Sequence, residues 1–335
     1  MKVVALTNKM SEKEWLEARK KGIGGSDAGT ILGANRFKSA YRLYAERVGL
    51  VEDTFKGNKA TEAGHALERA VAEMYAKETN ACVVWWPVIL QGEHEFMLAN
   101  VDFFIVEQDE FGHFQPGKVS DHLSADVPVG IKAILEIKTS GITGRPSAEW
   151  NHNGVPKSYY WQGCHYAEVT QVHDVVFCCL LGGTGLVIRE RHYEASTREM
   201  LVEAEARFWN QVQNHIEPDF VGAEDELEAL KTLYPDSRGE VEIDQDVLDA
   251  VSDLRVAQDK LKRQEQEVNR LKAVLVSAIG EAEAASYRGV TFYTYRKTEP
   301  GESFDAKAFK EAEPELYAKF TKPRSGWRVL RMVGE

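Results

Sequence analysis

Ala133–Ser140 reads AILEIKTS, and Glu136 and Lys138 stand two apart in this otherwise apolar run. Successive side chains of a strand point to opposite faces, so residues i and i+2 share one. A carboxylate and an ammonium therefore project together from a segment whose flanks read as buried. Charges in such a place are costly unless they are paired or bound to a metal. Upstream, LANVDFFIV sets Asp102 in a second apolar run, between Val101 and Phe103. Two carboxylates and a lysine on neighbouring strands meet the needs of metal-assisted phosphodiester hydrolysis. The carboxylates hold a hard divalent ion, and the lysine supports the attacking water or the charge developing on the phosphate. An E-x-K pair alone is commonplace on solvated strands; the apolar flanks and the matching aspartate move the reading towards function.

Two further segments supply polar groups. In TEAGHALERAVAEMYAKET, residues Ala66, Leu67, Ala70, Val71, Met74 and Tyr75 recur at helical spacing. Glu68 lies close to that apolar stripe, and His65 lies three residues earlier on the same side. Taken alone, Glu68 reads as a solvated helical glutamate and His65 as a structural histidine. In PKSYYWQGCHYAEV, the aromatics Tyr159, Trp161 and Tyr166 are core candidates, whereas Gln162 is a polar group able to face a site.

With these residues in hand, the chain resembles the YqaJ-type viral recombinase family, relatives of phage lambda exonuclease within the PD-(D/E)xK nuclease superfamily. WLEARKKGIGGSDAG is similar to the family's opening segment, with Trp15, Arg19 and Ser26 in place. GHALE matches the helical G-x-x-x-E ending at Glu68, NVDF carries Asp102, LEIKTS the E-x-K, and YYWQGCHY the glutamine helix. These features keep the family's order over roughly the first two-thirds of the chain.

The resemblance implies a role for each. Asp102 and Glu136, with the carbonyl of Ile137, would bind Mg²⁺ or Mn²⁺, and Glu68 would hold or orient a second ion. Lys138 would position and help deprotonate the nucleophilic water, assisted by Gln162. Arg19 and Ser26 match residues that grip a terminal 5′-phosphate. Arginine forms bidentate bonds to phosphate, and Ser26 in GGSDAG reads as a helix N-cap beside backbone N–H groups that attract an anion. A capping serine and a solvated helical arginine are the plainer alternatives. The implied activity is a Mg²⁺-dependent 5′→3′ exonuclease on double-stranded DNA ends, leaving a 3′ single strand for an annealing protein in phage-type recombination. A structure-specific endonuclease on the same metal core, or a non-catalytic DNA-end-binding module, are the competing readings. Relatives form closed rings on DNA and a heptad helix in the C-terminal tail can pair chains, so a homo-oligomer is expected; docking of an annealing protein, or a DNA grip extended through Arg288, Arg296 and Lys297, is the other role open to that tail.

Composition is compatible with this without requiring it. The chain has 335 residues, 43% of them hydrophobic, enough for one substantial core and a smaller appended domain. The net charge of −12 argues against a general DNA-coating protein. Much of the acid lies late, in VGAEDELEAL and VEIDQDVLDAVSDL, while the opening segment is locally basic through Arg19, Lys20, Lys21, Arg36, Lys38, Arg42 and Arg47. That region is expected to line the DNA path. Cys82, Cys164, Cys178 and Cys179 form no C-x-x-C and read as reduced, buried thiols rather than cluster ligands. No stretch has the length and hydropathy of a membrane span, MKVVALTNKM is too short and polar for a signal peptide, and a cytoplasmic location in a bacterial host, phage- or prophage-encoded, is expected.

Periodicity predicts helices near 11–21, 26–33, 39–49, 58–79, 156–170 and 196–216, and strands near 82–91, 95–106, 130–139, 173–181 and 186–194. FGHFQPGKVSDHLSADVPVG is a polar excursion. The element order predicts an α/β fold with a mixed central sheet flanked by helices over 1–217, and the resemblance implies that this core is restriction-endonuclease-like. An acidic linker over 218–240 then leads to a C-terminal α+β extension over 241–335. There, Val247, Leu254, Leu261, Val268 and Leu275 fall at steps of seven in a long coiled-coil-like helix. A β-ribbon, a helix interrupted at Pro314 and a strand-like SGWRVLRMV complete the extension.

Overall fold

A computed structural model describes residues 1–53, 57–108, 112–141, 148–150, 154–322, 326 and 328–333. The chain divides into two compact units, Met1–Tyr234 and Pro235–Glu335.

The first unit is mixed α/β. Its larger sheet has the order β10-β9-β8-β6-β3-β7, with β3 Cys82–Trp85, β6 Phe103–Val106, β7 Lys118–Asp121, β8 Ile131–Ser140, β9 Asp174–Leu181 and β10 Gly185–His192. The β8–β9 and β3–β7 pairs are parallel and the rest antiparallel. Alternation sorts the apolar side chains onto two faces. Val83, Phe103, Leu135, Ile137 and Cys178 pack on one side against Val71, Ala72 and Tyr75 of α4 Lys59–Thr79. Val84, Phe104, Ile134, Phe177 and Cys179 pack on the other with Cys164, Tyr166 and Ala167 of α5 Lys157–Thr170. A sheet covered by a helical layer on each face results.

Two segments that read as single strands are each divided between two sheets. The 82–91 run becomes β3 and β4 Val88–Gln91, parted at Trp86 and Pro87; the 95–106 run becomes β5 Met97–Ala99 and β6, parted at Asn100–Asp102. Pro87 has no N–H for a ladder, and Trp86 is buried with its indole N–H donating to the Ser124 carbonyl at 2.8 Å. β4, the second half of the first run, and β5, the first half of the second, join a smaller sheet of order β1-β4-β5-β2, with β1 Lys2–Leu6 and β2 Ile23–Gly24. β1 was not expected from the sequence; it pairs antiparallel with β4. The polar excursion supplies edge strand β7.

The remaining helices of this unit are α1 Glu12–Arg19, α2 Gly25–Ile31, α3 Ala40–Arg47, α6 Ala195–Asn214 and α7 Glu224–Leu233. The stretch 218–240, read as a linker, contains α7, whose Ala229 is buried with Tyr41 and Phe208 in a satellite core. Glu226 caps this helix by accepting from the backbone N–H groups of Val221, Gly222 and Ala223 at 2.9–3.0 Å. An acidic, turn-rich composition thus reflects a self-capped helix.

In the second unit, α8 Gln245–Ile279 is followed by the hairpin β11 Ala284–Tyr287 and β12 Val290–Thr294, then α9 Ala306–Ala312 and α10 Pro314–Phe320. Of SGWRVLRMV, 325–333, expected as strand-like, residues 328–333 form no strand, and 325 and 327 lie outside the described residues. No helix among the described residues is long and apolar enough to cross a membrane. Cys82, Cys164, Cys178 and Cys179 are all buried and form no disulfide.

Candidate active site

One groove of about 370 Å³ is lined by Arg19, Ser26, Glu68, Asp102, Glu136, Lys138 and Gln162. Those side chains come from α1, α2, α4, the β5–β6 crossing, β8 and α5, so only the folded chain brings them together.

Strand β8 sets the centre. Glu136 and Lys138 project to the face covered by α5, and the Lys138 ammonium bonds the Glu136 carboxylate. Gln162 of α5 donates to the same oxygen, Glu136 Oε1, at 2.7 Å, and also to the Tyr166 hydroxyl at 3.1 Å. Between them, Ile137 turns its side chain into the opposite core, while its backbone N–H donates to Asp102 Oδ2 at 3.0 Å. Asp102 is not inside a strand as its apolar flanks suggest. It sits where the chain leaves the smaller sheet for the larger. The Lys138 nitrogen also lies 4.8 Å from the centroid of the Tyr159 ring.

Glu68 lines the groove from α4, with its Oε1 held by His65 Nδ1 at 2.9 Å. Desolvation, then the Asp102 charge, push the Glu68 carboxyl above its ordinary range, against the opposing pull of His65. Asp102 is likewise raised by burial, although Lys138 and the Ile137 N–H favour its charged form. Burial, followed by the Asp102 charge, pushes Glu136 up to about 8. Lys138 is pulled down by burial, but the Glu136 and Asp102 carboxylates outweigh that and raise it. Lys138 is therefore an ammonium. Three carboxylates face one ammonium, an excess of negative charge that a low-dielectric site tolerates poorly.

That imbalance, and one orphaned atom, fit a divalent cation. Glu136 Oε2 is buried without a hydrogen-bond partner among the described residues. No group of three or more His, Cys, Asp or Glu side chains among those residues is gathered to hold an ion. The protein side chains on offer are thus the Asp102–Glu136 pair, and Mg²⁺ is commonly bound by one or two carboxylates with water and substrate phosphate completing its shell.

At the other end of the groove, the Arg19 guanidinium donates to the Ser26 hydroxyl at 2.9 Å and lies 4.7 Å from the centroid of the Trp15 ring. Trp15 is fixed in turn by its indole N–H donating to Asn100 Oδ1 at 2.9 Å. Among the described residues Arg19 forms no ion pair with a carboxylate, so its charge is available to a ligand. Ser26 is not the N-cap expected from GGSDAG. Gly24 holds that position, its N–H bonded to Asp27 Oδ2 at 3.0 Å, and Ser26 lies in the first turn of α2. The register is imposed by packing, because a Cβ on Gly25 would lie 2.4 Å from the Tyr166 ring.

The basic stripe expected of the opening segment is largely neutralised internally. Lys20 pairs with Glu17, Lys38 and Arg42 with Glu46, and Arg47 with Asp27. Arg19 is the member of that set lining the groove. Sequence reasoning also missed Asn100, Tyr159 as a neighbour of Lys138, and the buried ion pair between His165 and Glu205. His165 Nδ1 lies 2.8 Å from Glu205 Oε1, and its Nε2 lies 2.9 Å from the Leu98 carbonyl. Burial pulls His165 down, but Glu205 and the carbonyl outweigh it and raise its pKa. This pair pins α5 and α6 to β5, four residues before Asp102.

Residues 14–173 match the YqaJ-like viral recombinase domain. Over 327 residues the chain is 31% identical to the uncharacterized protein YqaJ of Bacillus subtilis (strain 168), spanning 96% of this chain and 94% of that protein. The chain belongs to the YqaJ family, and the similarity extends through both units. Among solved structures it is similar to an alkaline exonuclease from Laribacter hongkongensis, at 14% identity and a TM-score of 0.47, covering 61% of this chain and 94% of that one. A phage-related exonuclease from Haemophilus somnus 129PT aligns at 12% identity and a TM-score of 0.40, covering 58% and 96%.

Proposed function

We propose that this protein is a metal-dependent deoxyribonuclease with a restriction-endonuclease-like core, acting as a 5′→3′ exonuclease on double-stranded DNA ends. The observation that carries the reading is the convergence of Asp102, Glu136, Lys138 and Gln162 on one groove that also contains Arg19 and Ser26. Membership of a recombinase-like family supports it.

Asp102 and Glu136, with the Ile137 carbonyl, would hold Mg²⁺ or Mn²⁺, and Glu68 would orient a second ion through water. Such an ion, when bound, would make its water more acidic than bulk water, whose pKa is about 15.7, and would stabilise charge on the phosphate. Lys138, kept as an ammonium by its carboxylate neighbours, donates to the attacking water or to a phosphoryl oxygen rather than accepting a proton. Gln162 fixes the Glu136 carboxylate that Lys138 also grips. Arg19 and Ser26 take the terminal 5′-phosphate, which registers the chain end against the cutting centre. The product is a 3′ single strand suited to an annealing protein, within a bacterial cell that hosts a phage or prophage. Self-association of the chain belongs to the same reading.

The test is digestion of end-labelled linear duplex, with and without 5′-phosphate and with and without Mg²⁺, beside a covalently closed circle. Metal-dependent release from the 5′ end of the linear duplex, with the circle intact, is expected. Rapid nicking of the circle assigns an endonuclease instead. Binding of ends with no nucleotide release in Mg²⁺ or Mn²⁺ leaves a non-catalytic module.

A further inference from the structure

We infer that α8 is one strand of a parallel, in-register, two-stranded coiled coil formed with α8 of a second copy of this chain. The inference rests on the self-association part of the reading above and is independent of the nuclease part.

Among the described residues of Pro235–Glu335, Ile279 is the one hydrophobic side chain that is buried. A unit so poor in core lacks the apolar burial that stabilises a fold, and its missing partner surface lies outside the unit itself. The largest apolar row is on α8. Val247, Leu254, Leu261, Val268 and Leu275 recur every seven residues, which fixes them as the a row of a heptad. The d row is then Ala250, Ala257, Gln264, Leu271 and Ala278. Leu261 is 60% exposed and Leu271 48%. Contacts from the rest of the unit leave most of this seam open. Arg255, whose guanidinium donates to the Val333 carbonyl at 3.0 Å, stands at a b position, off the seam. The Tyr293 hydroxyl reaches the Leu275 carbonyl at 3.1 Å, at the far end of the row.

Charge and polarity select both the occupant and its direction. In a parallel pair each g residue faces the e residue five positions on in the partner. Lys260 then meets Glu265 of the second copy, and Glu267 meets Lys272, each twice by symmetry. Arg270 bonds both Glu267 carboxylate oxygens at 2.7 Å within its own helix, so Lys260–Glu265 is the less encumbered of the two pairs. Gln264 meets Gln264 across the d layer, where two side-chain amides satisfy each other and penalise any slipped register. Turning one helix round, with the same rows in the seam, sets Leu261 against Gln264 and forfeits the matched pair of amides. The small d-row alanines allow close approach of two helices. A self-complementary seam of this kind fits a second copy better than an unrelated helix.

Light scattering on the full chain is expected to give twice its 37.7 kDa, and Leu261→Glu/Val268→Glu is expected to give a single-chain mass. Lys260→Glu is expected to weaken association at least about fivefold, and Lys260→Glu/Glu265→Lys to restore it. Under oxidising conditions Gln264→Cys is expected to give a covalent pair, while the wild type, its thiols buried, gives none. A single-chain wild type at micromolar concentration overturns the inference, as does a mass unchanged in the double glutamate variant. A dimeric Gln264→Cys that never cross-links overturns the parallel register. Nucleotide release measured on the same samples reports separately on the nuclease reading, since none of these positions lines the groove.

Discussion

The Ile137 N–H donates to the Asp102 carboxylate at 3.0 Å, joining the midpoint of the E-x-K motif to the residue where the chain changes sheets. One backbone bond thus fixes the spacing of the two carboxylates, because Ile137 immediately follows Glu136. The bond does not depend on the Glu136 side chain.

Glu136→Gln is expected to lower nucleotide release at least about a hundredfold, since it removes a proposed metal ligand whose contribution to charge stabilisation would amount to several kcal/mol. The same change relieves a buried carboxylate, so the melting temperature measured in EDTA should not fall. A variant that melts well below the wild type and keeps near-normal turnover would contradict both parts.

Lys138→Ala removes the ammonium that faces Glu136 and Asp102, and metal-dependent release should be abolished. Tyr159→Leu retains the ammonium and loses only its ring contact, worth about 0.5–1 kcal/mol, so turnover should drop only about two- to fivefold. Initial rates in saturating Mg²⁺ check the pair; equal losses in both variants would remove the distinction between the two roles.

Stability should depend on pH through Glu136. Its native carboxyl is raised from 4.5 to about 8. A group raised in the native state stabilises the fold when protonated, fully below its unfolded pKa, and that contribution is lost as pH rises through the native value. In EDTA the melting temperature should therefore decline between about pH 5 and about pH 8. A divalent ion favours the ionised carboxylates, so the Mg²⁺-induced rise in melting temperature should grow over the same interval. A Mg²⁺ effect of constant size across it would sink the assignment of Glu136 as a ligand.

Arg19→Ala and Ser26→Ala are expected to lose the preference for 5′-phosphorylated over 5′-hydroxyl ends. Charge-assisted bonds of about 1.5–3 kcal/mol put the larger effect, roughly tenfold or more, on Arg19. The quantity to measure is the ratio of rates on the two ends. If both variants slow equally on each, the phosphate grip lies elsewhere.

Glu205→Ala leaves the His165 imidazolium buried without its counterion and should cost about 3–5 kcal/mol of stability. Urea unfolding monitored by tryptophan fluorescence tests this, and a change within about 1 kcal/mol would show that the pair relaxes without consequence.

Much of the larger sheet was legible because it is local. The alternation in AILEIKTS sets Glu136 and Lys138 on one face, and the structure has them bonded to each other. The helical spacing around Glu68 and Gln162 corresponds to α4 and α5, although Leu67 and Met74, read as part of the α4 stripe, are 39% and 43% exposed. What escaped is non-local. An apolar run looks the same whether it stays in one sheet or crosses into another, so the breaks at Pro87 and Asp102 carry no periodic signature. Strand β1 is a short run whose strand partner among the described residues is β4, far along the chain. The neutralised basic stripe was hidden for the same reason, since Arg47 finds Asp27 and Lys38 finds Glu46 only after folding.

The four interior cysteines give this molecule a built-in gauge of opening. Burial pushes the thiols of Cys164, Cys178 and Cys179 up to about 12, so their reactive anions are scarce at neutral pH. An alkylating reagent should label them only when the strands or helices that shelter them part. Since Cys178 and Cys179 face opposite sides of the same sheet, mapping which adduct forms first would report which helical layer lifts away first.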